Sequence, residues 1–106
     1  MAYEIKRNDL RPYWRVQLTQ NGLPADITGN VGVVFTMKQG STLKVNKEAM
    51  DVIDDGTGVV EYQWQTGDTD TSGTYNVEVE VDWGGSATQT FPSKGYFIVE
   101  ISDDLA

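Results

Sequence analysis

The chain has 106 residues with no cysteine and no histidine, and its 16 acidic and 8 basic residues give a net charge of −8. That length fits one domain, and the missing residue types remove disulfides, thiolate or imidazole metal sites, and every catalytic pairing built on histidine. The eight cations are scattered, so the chain lacks the basic face that binds phosphates, and no nucleic acid partner is expected.

Met1–Leu10 is charged and contains no apolar run, so no signal peptide is expected. With no cysteine to oxidise, synthesis and folding in a cytoplasm are the expectation. No stretch approaches the roughly 18 apolar residues of a membrane helix, so no membrane partner is expected either. Tyr3–Lys6 is a first short strand. Trp14, Val16 and Leu18 then alternate with Arg15 and Gln17, which is the period of a strand with one buried face. Asn21-Gly22 supplies residues that tolerate positive φ, as a tight hairpin requires. Val33, Phe35 and Met37 alternate with Val34, Thr36 and Lys38. Shorter strands are expected at Leu43–Asn46 and Met50–Ile53, and Asp55-Gly56-Thr57-Gly58 turns the chain towards Val60, Tyr62 and Trp64. Gly67–Ser72 is the one place for a single helical turn, with Asp68 and Thr69 as caps.

The clearest strand is Tyr75–Asp82. Tyr75, Val77, Val79 and Val81 share one side, and Asn76, Glu78, Glu80 and Asp82 the other; a helix would scatter these β-branched residues around its cylinder. Trp83-Gly84-Gly85 closes the next hairpin onto Ala87–Phe91. Pro92 interrupts that ladder, and Gly95 leads back into Phe97, Val99 and Ile101. Strand-like runs about every ten residues, parted by Gly and Asn/Asp turns, predict an all-β, immunoglobulin-like antiparallel β-sandwich of seven to nine strands. One domain is expected over residues 1–106, with its core at about 3–101 and a short acidic tail at 102–106.

Asp68-Thr69-Asp70-Thr71-Ser72-Gly73-Thr74-Tyr75 is similar to the Asp-x-Gly-x-Tyr corner of immunoglobulin-like domains, in which the tyrosine bonds backbone upstream and pins a crossover. With no inter-sheet disulfide, Trp14 and Trp64 are expected to fill the centre. A wider resemblance covers most of the chain in order. Ile5-Lys6-Arg7-Asn8-Asp9 with Arg11-Pro12, Gly22-x-Pro24-x-Asp26-Ile27-Thr28-Gly29, Val34-x-Thr36-Met37, the run Val60–Asp70 followed by Gly73-Thr74-Tyr75, and Phe91-Pro92-x-x-Gly95-Tyr96 together resemble the N-terminal domain of the phage upper baseplate protein family. The resemblance implies a virion structural protein of a tailed bacteriophage, a sandwich that docks in the tail, baseplate or neck. Its implied partners are other phage structural proteins, with several copies of the chain in the particle. Larger relatives continue into host-recognition parts; ending at Ala106, this chain is expected to be a small stand-alone component.

No enzyme activity and no cofactor are expected. Glu78 and Glu80 share a strand face, and Glu61 is a candidate third carboxylate for a hydrolase, but alternating charges on a solvated face need no further cause. Asp68, Asp70 and the hydroxyls of Thr69 and Thr71 offer oxygen ligands to Ca²⁺, though without the glycine and distal glutamate of a known loop; a self-bonded turn is the expectation, and no metal site. Two candidate interaction surfaces remain. Arg7, Arg11 and Arg15 form a basic N-terminal patch that either meets an acidic face of a neighbouring copy or pairs within the domain. Trp83, with Tyr13 or Tyr96, either stacks on a glycan or a neighbouring subunit or, in the case of Trp83, plugs the end of the sandwich. Carbohydrate binding through these exposed aromatics is the alternative function.

Overall fold

A computed structural model describes residues 2–105. It contains eleven strands: β1 (Tyr3–Lys6), β2 (Trp14–Gln17), β3 (Thr19–Gln20), β4 (Leu23–Pro24), β5 (Gly32–Gln39), β6 (Thr42–Ala49), β7 (Asp51–Asp54), β8 (Val59–Tyr62), β9 (Gly73–Gly84), β10 (Ala87–Phe91) and β11 (Phe97–Ser102). Only β3 and β4 are two-residue pieces, leaving nine strands of four residues or more among the described residues. The body measures 45 × 23 × 23 Å. Its long axis accommodates the twelve residues of β9 at about 3.3 Å each.

Two sheets face each other. The larger has six strands in the order β1-β11-β9-β5-β6, with β10 also on β9; the smaller has the order β2-β8-β7, and β3–β4 forms a separate ribbon. β9 is the spine. Along one edge it pairs with β5 from Gly32↔Asp82 to Lys38↔Asn76. Its other edge is divided between β11, which takes Gly73–Val77, and β10, which takes Val79–Gly84. That division follows from Pro92, which has no N–H and stands directly after the last residue of β10. The chain leaves the ladder there, turns through Gly95 at φ 76°, and rejoins β9 lower down as β11. Every pairing is antiparallel except β1 on β11, which runs parallel from Tyr3↔Val99 to Lys6↔Ser102. No hairpin joins these first and last strands, so nothing local forces them to oppose.

The alternation read from the sequence places the core. Tyr75, Val77, Val79 and Val81 are buried, as are Val33, Phe35 and Met37 facing the same interior from β5. Trp14, Val60, Tyr62 and Trp64 close the other side. Phe35 sits at the centre. It stacks on Tyr62 at 4.1 Å with the rings 2° from parallel, and meets Trp14 and Trp64 edge-on at 5.3 and 5.7 Å. Such pairs each contribute about 0.5–1.5 kcal/mol beyond area burial. The buried Trp64 indole N–H donates to the Tyr3 hydroxyl at 3.3 Å, and that hydroxyl donates in turn to the Pro12 carbonyl.

Turn chemistry also matches its sequence. Asn21 and Gly22, at φ 53° and 79°, join β3 to β4, and Gly85 and Ser86, at 59° and 70°, join β9 to β10. Trp83 therefore lies within β9, two residues before the turn at Gly85-Ser86, and not in the turn as the sequence suggested. The expected helical turn at Gly67–Ser72 does not form. The chain makes a hydrogen-bonded turn there instead, with the Asp68 N–H donating to the Gln65 carbonyl at 3.0 Å and the Asp68 carboxylate accepting the Gln65 N–H at 2.8 Å. Between β6 and β7 the chain changes sheets at buried Met50, whose N–H donates to the Val33 carbonyl at 2.9 Å. The outer edge of each sheet is thereby brought to one side of the sandwich.

Candidate functional site

The corner before β9 is held from three directions. The Tyr75 hydroxyl donates to the Thr71 carbonyl at 2.8 Å, the upstream bond that the sequence motif implied. Thr69, almost fully buried, donates its hydroxyl to the Asp9 carbonyl at 2.9 Å, while its own carbonyl accepts the Asn8 N–H at 2.9 Å. Asp68 accepts the buried Tyr62 hydroxyl at 2.6 Å. Burial and the adjacent Asp68 carboxylate push the Tyr62 phenol far above its ordinary range. Asp70 pairs with the Lys44 ammonium and accepts the Thr71 hydroxyl at 2.9 Å, and these bonds hold its carboxyl below the usual range. Of the oxygens considered for calcium, both threonine hydroxyls and one carboxylate oxygen each of Asp68 and Asp70 take part in these bonds. Among the described residues, no three acidic side chains come together as a metal cluster.

The three arginines of the expected basic patch each lie against a group of the same domain. Arg7 follows β1 and approaches Asp103, Nε to Oδ1 at 3.7 Å. Arg11 lies over the Tyr13 ring at 4.9 Å, and Arg15 on β2 makes a 3.0 Å ion pair with Glu61 on neighbouring β8. Each has its own partner within the domain. Trp83 is half-buried against the core, and its indole N–H donates to Gln89 at 3.3 Å, whose amide reaches Gln20 at 3.2 Å. Glu61 stands apart from Glu78 and Glu80, because β8 and β9 belong to different sheets and each glutamate alternates with buried neighbours. The two groups occupy opposite outer faces.

Tyr96 is in a different situation. It is 56% exposed in the link before β11 and borders a groove on the outer face of the larger sheet, lined also by Thr36, Lys38, Gly40, Asn76 and Glu78. The sequence alternation put Thr36, Lys38, Asn76 and Glu78 on solvent-facing sides. It did not show that β5 and β9 pair, with Thr36 opposite Glu78 and Lys38 opposite Asn76, and that pairing is what builds the groove.

No curated protein matches the chain. The family model described as BppU N-terminal domain matches residues 14–105, leaving the opening run Ile5–Pro12 outside the match. Covering nearly the whole sandwich from β2 to the end of β11, that match means the chain belongs to the N-terminal domain family of the phage baseplate upper protein, a structural baseplate domain.

Proposed function

We propose that this chain is a non-catalytic docking module of a tailed-phage particle, held among other baseplate proteins by shape and by open sheet edges. Family membership over residues 14–105 carries the reading. The separation of Glu61 from Glu78 and Glu80 supports it, since the three candidate carboxylates do not share one site. So does the absence of histidine and cysteine.

The side of the sandwich formed by β6 and β7 is the docking side in this proposal. Both strands are sheet edges, and Leu43, Val52 and Ile53 are 52, 38 and 44% exposed along them. Unpaired edge backbone with apolar side chains is a template for another strand. Antiparallel pairing of β7 with a second copy would set Asp51 against Asp54, a like-charge contact that opposes self-association. The occupant is therefore a strand of a neighbouring baseplate protein with basic residues opposite these aspartates. Copies are arranged side by side by that partner.

Mass spectrometry of purified particles tests the assignment. The chain is expected at fixed stoichiometry with other baseplate proteins, and its absence from particles overturns the structural role. Ile53→Lys is expected to fold normally yet fail to enter particles; normal incorporation would move the docking surface elsewhere.

A further inference from the structure

We propose that the groove beside Tyr96 is a binding site for a single neutral pyranose ring. Two features of the groove point to this class of ligand. The first is the exposed aromatic wall. A tyrosine ring has a negative π face, and the C–H groups on the flatter side of a hexose offer it a weakly positive, apolar surface. The second is unspent hydrogen-bonding capacity: among the described residues, the side chains of Thr36, Lys38, Asn76 and Glu78 make no hydrogen bond or ion pair within the protein. A hydroxyl, an ammonium, an amide and a carboxylate therefore face one small space with both donors and acceptors free, matching hydroxyls that also do both.

Size and charge narrow the ligand. The groove holds about 220 Å³, below the roughly 300–1,000 Å³ of clefts for drug-sized ligands, which suits one ring more than an enclosed oligosaccharide. Lys38 and Glu78 are the charged groups in the lining and balance each other, while nearby Glu80 faces Lys47 at 3.9 Å. A uronate or phosphate-bearing sugar gains no net attraction from such a wall. The backbone is set for access too: Gly40, at φ 57°, has no heavy atom within 4 Å of where a Cβ would stand, so the groove is open at that corner. A surface site of this kind binds weakly as a single copy and gains strength when many copies engage one surface.

The test is amide-resolved NMR titration of the intact chain with glucose, galactose, rhamnose and N-acetylglucosamine, and with glucuronate as the charged comparison. Saturable shifts are expected at Lys38, Gly40, Asn76 and Tyr96 with at least one neutral sugar. Tyr96→Ala should abolish them, and Asn76→Ala should weaken binding about tenfold, the equivalent of one hydrogen bond with its partner left unpaired. Both positions lie on the outer surface, so unchanged shifts for the buried methyls of Val77 and Val79 verify that each variant remains folded. No saturable shift with any sugar, or an equal response in Tyr96→Ala, overturns the site. Preference for glucuronate over the neutral sugars overturns the ligand class. None of these outcomes bears on whether the chain is present in particles, so this inference and the docking role stand or fall separately.

Discussion

Replacing Gly58 with alanine tests the packing logic at its tightest backbone contact. Gly58 has φ +73°, and a Cβ there would lie 2.4 Å from the Ala25 carbonyl oxygen and 3.0 Å from that of Leu18. A left-handed alanine costs about 1–2 kcal/mol on backbone grounds alone. The clash adds about 1–3 kcal/mol, typical of overpacking, because the obstacles are main-chain atoms with no rotamer to change. The segments that carry them are also bonded together: the Gly58 carbonyl accepts the Leu18 N–H at 2.8 Å, and the Leu18 carbonyl accepts the Ala25 N–H at 2.9 Å. Moving either segment aside loosens that network, so the expected loss is about 2–5 kcal/mol out of a typical 5–15. Urea denaturation followed by tryptophan fluorescence measures it, with an unchanged m-value as the check on two-state behaviour. Gly22→Ala is the control. Gly22 has a similar φ of +79° but nothing within 4 Å of its would-be Cβ, so it should lose only the backbone part, about 1–2 kcal/mol. If Gly58→Ala proved no worse than Gly22→Ala by more than about 0.5 kcal/mol, the close approach would carry no energy and the reasoning would fail.

Val79→Asp, which buries an unpaired charge at a fully enclosed position of β9, should leave the chain unfolded by circular dichroism, whereas Glu78→Ala one residue away should change stability by less than about 0.5 kcal/mol. Tyr62→Phe removes the hydroxyl that donates to Asp68 and should cost about 1.5–3 kcal/mol at neutral pH. The same residue predicts an alkaline limb. Its folded pKa is raised above the unfolded value of 10.0, so its contribution is complete below pH 10 and is lost as pH climbs beyond, at up to about 1.4 kcal/mol per unit. Urea midpoints measured against pH should fall above 10 in the wild type and fall less steeply in Tyr62→Phe. At the acid end the sign reverses. The Asp70 pKa is lowered from 3.8 by Lys44 and Thr71, so its stabilisation is present above that value and disappears as pH falls through the folded one; Asp70→Asn should flatten this part of the stability–pH curve.

Strand positions and faces were legible in the chain itself, because alternation at period two is a local property. Tyr75, Val77, Val79 and Val81 are buried where the pattern placed them, and the Tyr75 bond to Thr71 follows from the corner motif. Turns at Asn21-Gly22 and after Gly84 follow from residues that accept positive φ. What a period cannot encode is which strand lies beside which. Pairing of β5 with β9 assembled the Tyr96 groove, and the division of β9 between β10 and β11 set the larger sheet. Sheet membership sent Glu61 to one outer face and Glu78 to the other, and gave Arg15 its partner in Glu61. Thr69 and Asp68 read as residues of a self-bonded turn, yet closure of the loop on Asn8, Asp9 and Tyr62 also uses their oxygens across the corner. Each of these contacts joins residues whose neighbours in sequence do not specify the pairing, so tertiary structure alone decided them.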